Sequence, residues 1–178
     1  MQSIFPQAPI TAFRRDTNIG DLLVHAKHKS LFEAKPNKCQ KCAICTYISN
    51  ETEHLIKGRQ YKFNTINCKT SNLVYAIKCR RCNDIMYVGE TGTTVYQRFQ
   101  NHLSTIKRRN PNPITDHFTG PSHTHEDLEI VGLEQIKTND IHLRKIRESF
   151  WINKLQTLSP KGLNQNLGIG DGIRGSKT

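Results

Sequence analysis

Three evenly spaced thiols are the first group of residues able to do chemistry. Cys39-x-x-Cys42-x-x-Cys45, with Cys68 further on, offers four soft ligands of the kind a tetrahedral Zn2+ takes in structural sites. His54 lies between Cys45 and Cys68 and is the alternative fourth ligand should one thiol stay free. A second pair, Cys79-x-x-Cys82, finds no further cysteine, because the chain holds six. Imidazole must therefore complete any metal site there. His117, His123 and His125 follow downstream, and His117 with His123 is the preferred choice. The plain alternative is a reduced pair of thiols at a hairpin tip with unrelated histidines. A redox role would need a helix directly after the pair, and an apolar run stands there instead.

Other polar groups sit beside apolar faces. On a helix drawn at 100° per residue, Ile141, Ile152 and Leu155 fall within about 40° of Glu148, and His142, Ser149 and Asn153 fall on the far side. A carboxylate on an apolar face costs free energy unless something positive meets it. A divalent cation at a site that handles phosphates would serve. So would an ion pair with Arg144 or Lys145, one turn back. Tyr75 and Tyr87 lie in apolar runs, where a packed ring with a satisfied hydroxyl is the default. Arg98 and His102, one turn apart on a helix, are by default a solvated face.

Positioning these groups falls to a chain of 178 residues, 35% hydrophobic and 7% aromatic. That is enough for one modest core, which bound metal would reinforce. Leu73-Val-Tyr-Ala-Ile77 and Ile85-Met-Tyr-Val88 read as buried strands joined in a hairpin. Gly89-Glu-Thr-Gly92 turns the chain, and Thr93 or Thr94 caps a helix reaching about Arg109. Its stripe of Val95, Phe99, Leu103 and Ile106 faces the core. Asn110-Pro-Asn-Pro113 stops that helix, and a short helical turn follows around Ile114 to Phe118. A third strand is expected at about Leu128 to Ile136 and a last helix at about Ile141 to Leu155. Upstream, Tyr61 to Ile66 reads as strand-like, and Leu22-Leu23-Val24 reads as a brief helix after Asn18 or Asp21. The expected layout is a basic connector over 1–38, a Cys-rich zinc-binding linker over 39–71, a main α/β domain over 72–166 and a flexible tail over 167–178.

Charge narrows the partners. Twenty-six Lys and Arg against fifteen Asp and Glu give a formal +11, a balance suited to polyanions. Arg80, Arg81, Lys107, Arg108, Arg109, Arg144, Lys145 and Arg147 are the cations expected to track phosphates. No stretch approaches the ~18 consecutive apolar residues of a membrane span. The N-terminus, with Pro6 and Pro9, does not read as a secretory signal. An intracellular place is therefore expected, where clustered cysteines more often bind metal than pair.

Taken jointly, Tyr75 in Leu-Val-Tyr, Tyr87 in Tyr-Val-Gly, Arg98, His102, Glu148 and Asn164 in Gly-Leu-Asn resemble the GIY-YIG nuclease superfamily in order and spacing. The likeness runs from about Asn72 to Asn166. Leu73-Val74 stands where the family name has Gly-Ile, while Tyr-Val-Gly-Glu-Thr-Gly keeps the second triplet closely. Two cysteines between the triplets, a histidine pair after the first helix and an upstream knuckle look like the endonuclease module of Penelope-like retroelements. In that family the module follows a reverse transcriptase.

The resemblance implies an α/β (α+β) GIY-YIG fold, a three-stranded antiparallel sheet flanked by helices, with an N-terminal zinc knuckle. It implies a metal-dependent DNA endonuclease that nicks a strand to prime retrotransposition in the nucleus. The partners are then DNA and the element's reverse transcriptase, with no membrane and no organic cofactor. In family terms Glu148 holds Mg2+ or Mn2+, Arg98 neutralises charge on the phosphoryl oxygens, and Tyr75 is the general base. Tyr87 and His102 order water and phosphate, and Asn164 braces the site or the product end. The rival reading is a catalytically inactive, zinc-stabilised nucleic-acid-binding module.

Overall fold

Leu73–Cys79 is buried at every position except Lys78, the mark of a strand covered on both faces. In this computed structural model, which describes residues 39 and 42–168, it is the centre of the main sheet. The elements in chain order are β1 (Glu53–Ile56), β2 (Arg59–Lys62), β3 (Leu73–Cys79), β4 (Asp84–Thr91), α1 (Val95–Lys107), α2 (Pro113–Phe118), β5 (Leu128–Gln135) and α3 (Ile141–Leu155). The sheet runs β4-β3-β5 with both pairings antiparallel. The expected connector and its brief helix lie outside the described residues, as does the tail beyond Gly168.

Alternation along β3 divides the core in two. Leu73, Tyr75 and Ile77 face α1, α2 and the Cys-rich segment, through Phe99, Ile106, Phe118, Ile44 and Cys68. Val74 and Ala76 face α3 and the β1–β2 hairpin, through Trp151, Ile152, Leu155, Ile56 and Phe63. The segment expected as a linker is thus part of the core. Its Ile48 also bridges to Ile130 of β5.

Local chemistry explains the boundaries. Thr94 and Gln97 form a reciprocal capping box at the start of α1, and Val95, Phe99, Leu103 and Ile106 are its buried stripe. Two further donors at this end bond outside the helix: Val95 N–H to Thr70 O at 2.8 Å and Tyr96 N–H to Cys68 O at 2.9 Å. Asn112 caps α2 ahead of Pro113, and Asp140 caps α3.

Several expectations change. Tyr61 to Ile66 is not one strand, because β2 ends at Lys62. Phe63 then turns into the core on the α3 side, and Ile66 packs where a side chain on Gly132 would otherwise stand. The hairpin that β2 makes with β1 was not anticipated, and Lys57 and Gly58, both at positive φ, form its two-residue turn. On α3, Ile141 is exposed while Ser149 is buried. The reason is a second cover: Ser149 Oγ bonds to Leu167 O, so the chain stays docked through a stretch assigned to the flexible tail.

Candidate active site and metal-binding clusters

Tyr75 is the most enclosed of the predicted catalytic residues, at 2% exposure. Its neighbours on both flanking strands are glycines, Gly89 on β4 and Gly132 on β5. A Cβ on Gly89 would lie 2.7 Å from Tyr75 Oη and 2.8 Å from Tyr87 Cε1, so the glycine of Tyr-Val-Gly is the clearance that lets two phenols converge. The β3–β5 register also shifts between Val74 and Tyr75, a bulge of the kind that re-aims a side chain.

One turn of α1 meets this phenol with two groups. Arg98 Nε lies 2.8 Å from Tyr75 Oη, and His102 Nε2 lies 2.7 Å from it. A guanidinium can only donate. The phenol oxygen therefore accepts from Arg98, and its own proton points to His102 Nε2. Burial first, then the Arg98 charge, pushes the imidazole pKa down to about 3, so His102 is neutral and able to accept. Burial likewise raises the pKa of Tyr75 and Tyr87. The result is a directed chain, Arg98 to Tyr75 to His102.

Glu148 arrives from α3. Its Oε1 accepts the Glu90 backbone N–H at 3.2 Å, and it lines one open cleft of about 360 Å3 with Tyr87, Arg98 and His102. Burial, with the nearby Glu90 carboxylate adding to it, pushes the Glu148 pKa up to about 7. The ion pair considered with Arg144 or Lys145 does not form among the described residues. Arg144 is instead buried and bonded to Glu90 Oε2 at 2.8 Å, Asn72 Oδ1 at 3.1 Å and Asn139 Oδ1 at 3.2 Å. Glu90 is thus a supporting residue that sequence reasoning passed over, and Arg144, expected beside Glu148 or on phosphate, supports Glu90 instead. The signal available was Glu90 inside the Tyr-Val-Gly-Glu-Thr-Gly run.

Asn164 approaches from the C-terminal side, and both ends of its amide are held by β4. Its Oδ1 accepts from Val88 N at 2.9 Å and its Nδ2 donates to Val88 O at 2.8 Å. Of the two roles considered for it, the geometry is that of a brace on β4, next to Tyr87 and Gly89.

The family model for the GIY-YIG catalytic domain matches residues 71–164. The chain belongs to the GIY-YIG family. Comparison with curated proteins and with solved structures gave no match. GIY-YIG nucleases are metal-dependent and act on nucleic acid, which fits a cleft that gathers a carboxylate, a guanidinium and hydroxyl groups.

Two soft-ligand clusters lie apart from the lining of this cleft. Cys39, Cys42, Cys45 and Cys68 place their sulfurs within 4.8 Å of one another, and Cys42 and Cys45 are 3.2 Å apart. His54, the alternative ligand, is buried elsewhere, with Nε2 3.0 Å from Glu51 O and its ring beside Phe63. Burial opposes ionisation of Cys42, but hydrogen bonds from Cys45, the Ile44 backbone and Cys68 bring its pKa down to about 7. Burial and the neighbouring Cys42 push Cys68 up to about 12. Four crowded thiols that cannot all ionise together are a donor set that a cation would relieve.

The second cluster is Cys79, Cys82, His117 and His123, its ligand atoms also within 4.8 Å. His123 Nε2 is 3.2 Å and His117 Nε2 3.8 Å from Cys82 Sγ. The hairpin tip supplies the thiols and α2 with its following loop supplies the imidazoles. His125 is not in this set.

The basic residues divide. Lys107, Arg108, Arg109 and Lys145 are exposed. Arg80 is tied to Thr46 O at 2.9 Å and Glu126 O at 3.4 Å, and Arg81 faces Asp127 at 3.6 Å. Arg144 and Arg147 are withdrawn from any phosphate track, the first by Glu90 and the second by Glu134 at 2.7 Å.

Proposed function

We propose that this protein is a metal-dependent DNA endonuclease that nicks one strand, of the kind carried by Penelope-like retroelements, where the cut would leave a 3′ hydroxyl for a reverse transcriptase in the nucleus. The observation that carries the nuclease reading is the hydrogen-bonded chain Arg98–Tyr75–His102, whose two ends, Arg98 and His102, line the same cleft as Glu148. The retroelement assignment rests on the Cys and His pattern around the two tyrosine triplets.

Glu148 fits a hard divalent cation. It is a half-buried carboxylate with a raised pKa and no ion pair among the described residues, which is the situation a bound cation stabilises. Mg2+ or Mn2+ held there would act as a Lewis acid on the scissile phosphate and stabilise the leaving 3′ oxygen. The two thiol clusters suit Zn2+ by ligand type.

The chain's own groups handle the proton. A water poised at Tyr75 gives its proton to the phenol oxygen as the phenol passes its own to His102 Nε2, so the hydroxide equivalent attacks phosphorus and the imidazole ends protonated. This route avoids a free phenolate, which burial disfavours at Tyr75. The negative phosphodiester in the cleft offsets the Arg98 charge that depresses His102, and so makes that imidazole a better acceptor. Arg98 spends Nε on Tyr75, and its Nη groups, beside Tyr87, can meet charge developing on the phosphoryl oxygens. Tyr87, on the cleft wall, orders water and phosphate.

Supercoiled plasmid incubated with Mg2+ or Mn2+ tests this directly. Glu148→Gln is expected to slow nicking on the order of 100 to 1000-fold. Equal nicking by variant and parent refutes the reading and leaves the rival, an inactive zinc-stabilised binding module.

A further inference from the structure

Away from the cleft, the tip of the β1–β2 hairpin and the C-terminal end of α3 enclose a notch of about 150 Å3, lined by Ile56, Lys57, Arg59, Tyr61, Lys154 and Gln156 among others. Its lining holds three cations and no carboxylate.

Each cation is placed differently. Lys57 Nζ donates to Leu155 O at 3.0 Å and to Gln156 O at 2.9 Å. It thereby cancels the negative end of α3, which would otherwise repel an anion. Lys154 Nζ lies 5.7 Å from the Tyr61 ring centroid, 5.2 Å from that of Phe150 and 4.9 Å from that of Trp151. Three aromatic faces hold this ammonium at the notch. Arg59 pairs with Ile56 across the hairpin turn, which puts it on the same strand face as Tyr61. Arg59 and Lys154 are exposed and make no ion pair among the described residues.

A guanidinium beside an ammonium, with no competing acid, is the chemistry that takes a phosphodiester. We propose that this notch is a second nucleic-acid contact, which grips a backbone phosphate of the DNA outside the cleft. It goes beyond the nuclease reading, since its residues take no part in the chemistry. From Glu148 to Lys154, six positions on, α3 rises about 9 Å and turns by about 120° net, so a phosphate at the notch is a different one from the phosphate at the cleft. A contact to phosphate sets register and affinity and carries no base preference.

Anisotropy of a labelled duplex, titrated with the metal-loaded full chain between 50 and 200 mM salt, tests the assignment. Arg59→Ala and Lys154→Ala are each expected to reduce the slope of log Kd against log salt by about 1. Arg59→Lys and Lys154→Arg, which keep the charge, retain the parental slope. Nicking at saturating plasmid and low salt keeps its rate in all four. An unchanged slope in both alanine variants overturns the notch even if the parent nicks normally. So does an equal loss of slope in the charge-keeping pair, which would mark a packing defect. A parent that does not nick refutes the nuclease reading and leaves the slope comparison valid.

Discussion

Charging His102 inside the fold is costly, because it lacks water and faces a guanidinium. Its pKa of about 3 in the folded chain stands against about 6.5 for an exposed imidazole. Between those values the unfolded chain binds the extra proton, so stability is fully present above about 6.5 and falls with pH by about 1.4 kcal/mol per unit. Urea unfolding of the parent and of His102→Gln from pH 7 to pH 4 should show the difference between them shrinking as the parent loses stability. Parallel curves would mean the imidazole is not held as described. At this scale the sequence was informative where a polar group broke an expected pattern: the tyrosines, Arg98, His102 and Glu148 all meet. It was silent on who neutralises whom. Arg144 stands one turn from Glu148 yet pairs with Glu90, 54 positions away, and helical spacing cannot reveal a partner on another element.

Strand β4 carries much of the site through its backbone. Gly89 admits both phenols, the Glu90 N–H fixes Glu148, and Asn164 clamps Val88. Gly89→Ala should force Tyr75 and Tyr87 apart. We expect it to lose most nicking activity and about 1–3 kcal/mol of stability, measured by plasmid assay and denaturant midpoint. Near-parental activity would show that the rings can yield. The helices were readable because caps and an apolar stripe coincide, as at Thr94 and Val95 through Ile106. The β1–β2 hairpin was not: its strands are four residues each, and Leu55 is 71% exposed, so periodicity had little to register. Phe63 misled in the opposite sense, extending an alternation past the last paired residue.

For the whole molecule, composition already indicated a basic chain whose thin core needs cross-links, and the two soft-ligand clusters meet that need on the α1 side of the sheet. Purified protein should contain two zinc ions per chain, one for each cluster, as counted by elemental analysis. Stripping them with a strong chelator should lower the unfolding midpoint sharply, since structural zinc contributes on the order of 10 kcal/mol or more. A protein that melts unchanged after stripping would exclude a structural role. What composition could not tell was which cations stay free, because Arg144 and Arg147 are neutralised by long-range pairs.

The carbonyls that receive the first two amides of α1 belong to Thr70 and Cys68, upstream of the family boundary at residue 71. A fragment trimmed to that boundary would leave the guanidinium-bearing helix with a frayed start and Gly132 without its Ile66 lid. Anyone grafting this GIY-YIG domain onto a programmable targeting module should therefore place the junction before Cys39.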